Sequence, residues 1–267
     1  MPGSHGLGVD ASSLALLPLV AIAALTLAYL VSARHQRHVG SGWSGWRCAF
    51  FVGGSLLLAA ALAPPTLTWA HHDLRGHMAQ HLAIGMLAPL AWVLAAPVTL
   101  ALKTLPTGAA RHLVAVLQSP PLRAVSHPIT ALLLNVGGMY LLYLTPLFAA
   151  TQQGSTLHAW MHLHFLLAGY LFCWAILAGP DSAPHGHGLR LRLGVLFVSM
   201  AAHAILGKLM YGYLWPRGTG HDVEEIQAAA MLMYYGGDLA EALLAIALMV
   251  MWWRLPRQRR EALPLLP

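Results

Sequence analysis

The sequence predicts an all-α protein, a polytopic membrane bundle of seven transmembrane helices with the N-terminus outside and the C-terminus cytoplasmic. Three observations carry that reading. Seven apolar runs reach about the 20 residues needed to cross a hydrocarbon core. Only 9% of the residues are charged and 58% are apolar, whereas soluble domains run about 25% charged. The basic residues alternate from one connection to the next as membrane topology requires.

The first run, residues 13–33, follows a segment without Lys or Arg and is closed by Arg34. That pattern predicts an anchor retained in the membrane and no cleaved signal peptide. The second run covers 46–64, and Arg34, Arg37 and Arg47 lie between it and the first. The third, 77–102, is long and contains Pro89 and Pro97, which predict kinks and tilting. Its connection to the fourth run holds Lys103, Arg111 and Arg123, with a short helix expected between Pro106 and Pro120. The fourth run is 127–148 and the fifth 158–179, followed by Arg190 and Arg192. The sixth is 191–214 and the seventh 228–253, closed by Arg254, Arg257, Arg259 and Arg260.

Those connections hold all but three of the fifteen Lys and Arg residues. Arg75 and Arg217 fall on the opposite side and Lys208 inside a span. The excess marks the cytoplasmic side, and the alternation closes for seven spans. The spans account for residues 1–267 as one integral-membrane domain, with no soluble domain and no internal repeat of the inverted-repeat transporter kind.

The sequence pI is about 9.7, yet the basic residues flank the spans and form no patch, so no nucleic-acid partner is expected; the partner is the lipid bilayer. Cys48 and Cys173 form no CxxC motif, which disfavours a thiolate zinc site. Cys173 reads as a small packing residue.

Ionisable residues inside spans are costly, about 2.5–3.5 kcal/mol for a charge at the helix centre, and so mark candidate sites. His77 and His81 (HMAQH) open the third run, and His158 and His162 (HAWMH) open the fifth. Each pair has i, i+4 spacing, which puts both rings on one helix face. His164 points to another face. His203 and Lys208 lie in the sixth run, and Asp238 and Glu241 share a face of the seventh, beside Gly236, Gly237 and Ala240. Lys208 pairs with one of these carboxylates or reaches outward. All of them fall in the outer half or near the midplane, which describes an outward-facing polar chamber and no conduit across the membrane.

Two facing histidine pairs suit copper, zinc, iron or nickel. His77, His81, His158 and His162 are therefore the candidate metal ligands. His203, Asp238, Glu241, His164 and Met78 are candidates for further ligation or for orienting the ligands. A bis-histidine haem protein and a metal-dependent membrane hydrolase or oxidase are the alternatives. Histidines at 35, 38, 112, 127, 185 and 187 are left out of the site, His5 and His221 are expected to be incidental, and Asp181 is expected to lie in a loop with no part in it.

Four segments in order, HMAQHLAIGMLAPLAWVLAAPVTL, MHLHFLLAGYLFCWAILAGPD, HAILGKLM and MLMYYGGDLAEALLAIALM, resemble the CtaG-type cytochrome c oxidase assembly factor family. The resemblance implies a multi-span bacterial plasma (inner) membrane protein of the respiratory chain, with no enzymatic activity of its own. It implies a chaperone-like role in maturing a haem–copper oxidase, with oxidase subunits as partners and copper, as Cu(I), as the metal; zinc and haem are the alternatives. The family pattern falls on His77, His81, His158, His162, His203, Asp238 and Glu241. Met161 stands where many relatives carry an acidic residue, a departure that bears on metal affinity.

Overall fold

The computed structural model describes residues 11–39, 42–177, 181 and 187–254. His5, His185, Arg257, Arg259 and Arg260 lie outside the described residues. Every regular element among those described is helical: α1 (Ala11–His38), α2 (Gly45–Ala61), α3 (Pro64–His72), α4 (Leu74–Leu82), a π-helical turn (Ala83–Leu87), α5 (Ala88–Leu94), α6 (Pro97–Thr104), α7 (Thr107–Leu117), α8 (Pro120–Val125), α9 (Pro128–Tyr143), α10 (Leu147–Gln153), α11 (Ser155–Ile176), α12 (Leu189–Tyr213) and α13 (Val223–Arg254).

Five helical stretches are long and apolar enough to cross a membrane: Leu16–His38, Leu74–Leu94, Thr156–Ile176, Leu189–Tyr213 and Val223–Arg254. The pairs α2–α3 and α9–α10 bend by 54° and 77°, and the number of spans is seven when each bent pair is one span. Both bends have the same cause. Pro64 opens α3 and Pro146 immediately precedes α10. A proline lacks the N–H that would continue the helix and disfavours the α conformation in the residue before it. The runs expected at 46–64 and 127–148 are therefore straight only as far as Ala61 and Tyr143, and the chain beyond them leans over the end of the bundle.

The run expected at 77–102 is corrected more substantially. It begins at Leu74, where the Asp73 carboxylate accepts from the Arg75 N–H at 2.8 Å and caps the helix. It ends at Leu94. Ala96 adopts the left-handed conformation with φ 54°, and Pro97 starts the separate helix α6. Pro89 makes no simple kink. It lacks the N–H that the Gly85 carbonyl would accept from four residues on, and the chain widens into the π-helical turn, where Ala88 N–H reaches back to the Ala83 carbonyl. Gly169 of α11 sits against that turn. A Cβ there would fall 1.9 Å from the Gly85 oxygen, so only glycine permits the approach.

Asp181 lies in a turn, as expected, but it is not a bystander there. It is 5% exposed, and its carboxylate accepts from the N–H groups of Val98 and Thr99 at 2.7 and 2.6 Å and from the Thr99 hydroxyl. It therefore caps α6 from a distant part of the chain. Burial pushes its carboxyl upward, and the Thr99 and Val98 donors offset part of that. Arg192, expected in a connection, is buried at the start of α12 and donates to the Ile176 carbonyl.

α12 packs along α13, α13 along α4, and α11 against α9 and the π-helical turn. One end of the bundle carries α3, α10 and the α12–α13 connection, and holds a core of Met78, Met139, Tyr143, Phe148, Phe165 and Met233. The other carries α6 to α8 and holds a core of Phe172, Trp174, Ile176, Val195 and Leu248. α1 packs beside α2 and α6 at the edge, pinned where Tyr29 Oη donates to the Ala95 carbonyl at 2.8 Å.

Candidate functional site

The bends decide what the histidines meet. α3 leans across the first turns of α4 and α11 and brings His71 onto His158, with ring centroids 4.8 Å apart. α10 leans the same way and sets Phe148 edge-on to His77 at 4.8 Å. Between them lie His77 and His81 of α4 and His158 and His162 of α11. Glu225 of α13 accepts the Leu74 N–H and also pairs with His221 at 2.8 Å. The start of α4 is thus held from three sides.

The two predicted pairs meet through His77 and His158, while His81 lies one turn along α4 against Met139, Tyr143 and Phe165. His158 and His162 have ring centroids 4.3 Å apart, and His77 and His158 6.4 Å apart. With a metal–nitrogen bond of about 2 Å, two imidazoles on one ion have centroids roughly 5–6 Å apart, so the observed spacings bracket that value. No group of three His, Cys, Asp or Glu residues among those described is placed to hold a metal ion as the side chains stand. Burial deepens along the cluster. His71 is exposed, His162 half-buried, and His158, His81 and His77 are 7%, 5% and 2% exposed.

Partners are scarce where burial is greatest. Both ring nitrogens of His77, Nδ1 of His81 and both nitrogens of His203 have no protein partner. A buried polar atom left unpaired costs about 1–3 kcal/mol. Three such atoms on His77 and His81 at one end of the bundle, and two more on His203 deeper in, make a donor set suited to an ion or to water.

His162 differs. Its Nε2 lies 3.1 Å from Oε1 of Gln80, and the Gln80 amide nitrogen donates to the Ala61 carbonyl at 2.8 Å. The amide is thereby oriented with its oxygen toward the ring. Nε2 carries the proton, and Nδ1 is the nitrogen with a lone pair to offer. Sequence spacing does not single out Gln80, although it sits within HMAQH itself.

The further candidates divide. His203 is 1% exposed, with its Nδ1 4.0 Å from Oε2 of Glu241. Ser199 Oγ donates to the other Glu241 oxygen at 2.6 Å. Glu241, Asn135, Cys173, Gly85 and Gly169 border a cavity with room for about one water. Asp238 is half-buried one turn away. Lys208 pairs with neither carboxylate among the described residues; it is exposed, with its ammonium 5.7 Å above the Tyr234 ring.

His164 and Met78 do not join the cluster. His164 is exposed on another face of α11, with Nε2 3.2 Å from the Leu134 carbonyl; two residues beyond His162 is about 200° of rotation, roughly the opposite face. Met78 and Met161 are buried in the apolar core. Met139 of α9 approaches the cluster instead, with its Sδ 3.2 Å from Nε2 of His81. His71, which the sequence places only in the outer connection before the third run, also joins the cluster. Only the proline bend before α3 brings it to His158.

A family model described as cytochrome c oxidase caa3 assembly factor (Caa3_CtaG) matches residues 27–255. Among curated proteins, an uncharacterized protein of Mycobacterium leprae is 33% identical over 190 residues, 68% of this chain and 29% of that protein. Uncharacterized proteins of Mycobacterium bovis and Mycobacterium tuberculosis are 35% identical over the same length and the same shares. The match thus spans 29% of these relatives' own length. No solved structure matches.

Proposed function

The chain belongs to the cytochrome c oxidase caa3 assembly factor family, and on that premise we propose that it holds copper at its histidine end and passes it to an oxidase subunit during assembly. Copper is cargo in this reading. His77, His81, His158 and His162 are its ligands, His71 stands at the exposed edge, and Gln80 orients His162. The bundle crosses the bacterial plasma membrane seven times with its histidine end outward.

One observation carries the reading. His77 is buried with both ring nitrogens unpartnered, and its ring lies 6.4 Å from that of His158 of α11. A buried imidazole without a hydrogen bond is unfavourable unless something binds it, and neutral imidazole suits copper. An open set of histidines, one of them exposed, also suits a metal that must leave again. A closed thiolate cage would retain it.

The test is elemental analysis with an absorbance spectrum on the detergent-purified chain and on a His77→Leu/His158→Leu variant. The expected result is stoichiometric copper in the native chain, none in the variant, and equal membrane insertion of both. Copper retained by the variant removes the site. A Soret band replaces the reading with bis-histidine haem, and stoichiometric zinc makes zinc the cargo. A C-terminal tag cut by external protease in intact cells overturns the orientation.

A further inference from the structure

We propose that Met139 is a thioether ligand which, with His81, forms a deep Cu(I) position distinct from the outer one at His158 and His162. The inference rests on the copper reading above and adds a ligand, an oxidation state and a second position to it.

The geometry is specific. Sδ of Met139 and Nε2 of His81 face each other at 3.2 Å, and the two residues are 1% and 5% exposed. With metal–nitrogen and metal–sulfur bonds of about 2.0 and 2.3 Å, a shared ion at a tetrahedral angle sets these atoms roughly 3.5 Å apart. A shift of a few tenths of an ångström therefore admits it, and an unbranched methionine adapts readily. The alternative is a hydrogen bond from His81 N–H to sulfur. That is a weak bond, and it leaves the lone pair on Nδ1 buried without a partner.

The surroundings favour the ion. His77 stands one helical turn from His81 on the same face of α4, and both of its nitrogens are unpartnered. His203 of α12 is also buried with both nitrogens unpartnered. Imidazole with a neutral thioether in an apolar pocket is a soft set that suits Cu(I). Phe165 and Tyr143 flank the His81 ring at 4.7 and 6.0 Å and line that pocket mostly with carbon, the buried Tyr143 hydroxyl being the polar atom they add. The contact is particular to Met139, since Met78 and Met161 pack in the same core without such a histidine contact. The two positions are linked through His77, which neighbours both His158 and His81.

The test uses the full chain in detergent, grown with selenomethionine and given one equivalent of Cu(I) under ascorbate without oxygen. Copper-edge X-ray absorption should show a copper–selenium shell in the native chain. Met139→Leu should lose that shell and bind Cu(I) roughly tenfold or more weakly in competition with bicinchoninate; Met78→Leu should keep both. Copper bound by nitrogen or oxygen alone in the labelled native chain overturns the Met139 ligand and leaves the copper reading standing. A selenium shell that survives Met139→Leu overturns the assignment to this residue. Failure to bind Cu(I) at all overturns both. The native-chain spectrum decides the presence of the shell whether or not the Met139→Leu variant inserts; if it does not insert, a shell lost in Met78→Leu overturns the assignment.

Discussion

Nδ1 of His203 lies 4.0 Å from Oε2 of Glu241, and the other carboxylate oxygen takes a 2.6 Å hydrogen bond from Ser199. The two residues are 1% and 2% exposed, and they join α12 to α13 in the middle of the bundle. Gly237 makes room for the ring. A Cβ there would fall 2.5 Å from Cε1 of His203.

The carboxylate and the glycine should therefore separate in a stability measurement. Glu241→Gln keeps the shape and the Ser199 contact and should change detergent-phase unfolding by less than about 1 kcal/mol. Gly237→Ala forces His203 aside and should cost about 1–3 kcal/mol, as overpacking does. Thermal unfolding of both variants is the measurement. Equal losses would mean that the packing of His203 does not depend on Gly237.

Gln80 offers a test of orientation without touching a ligand. Gln80→Leu removes the acceptor for His162 Nε2 and should weaken metal binding by about 10–100-fold without abolishing it. Competitive titration reads this directly. An unchanged affinity would show that the Gln80 contact does not orient His162 for the metal.

The Gly169–Gly85 approach predicts an asymmetry between two helical glycines. Gly169→Ala places a methyl against the Gly85 carbonyl and should prevent native packing of α11 on the π-helical turn, seen as loss of a cooperative unfolding transition. Gly137, also in a helix, has nothing within 4 Å of an added Cβ. Gly137→Ala should stabilise by about 0.5–1 kcal/mol.

The spans and the two histidine pairs are legible in the sequence because hydropathy and i, i+4 spacing are local properties of a chain. The bends are less legible: Pro64 and Pro146 sit at the ends of apolar runs, where length alone reads straight through them. His71 and Met139 reach the site only through those bends and through helix packing; His81 and Met139 are 58 residues apart. Asp181 is read correctly as a loop residue, but its role is not legible, because its hydrogen bonds are made about 80 residues upstream.

Asp73 gives the cap of α4 a defined pH dependence. The Arg75 guanidinium and its N–H hold the Asp73 carboxyl at about 2, below its ordinary 3.8. A depressed folded-state value contributes stability in full above about pH 4, and that contribution fades as pH falls toward 2. The stability difference between the native chain and Asp73→Ala should thus be constant near neutrality, at about 1 kcal/mol, and shrink between pH 4 and 2. Unfolding measured at several pH values checks it. A difference that grows on acidification would show that the carboxylate is not the stabilising form.

The π-helical turn at Ala83–Leu87 holds one residue more than a regular turn, and one residue is about 100° of rotation about a helix axis. The helix that aims His77 and His81 at α11 is therefore out of phase with the helix that packs Leu90 and Val93 into the core at the other end. Removing one residue from the turn would bring the two halves into a common phase and swing the histidines off α11. The aim of the site and the seating of the span are separately adjustable, and the turn is the joint between them.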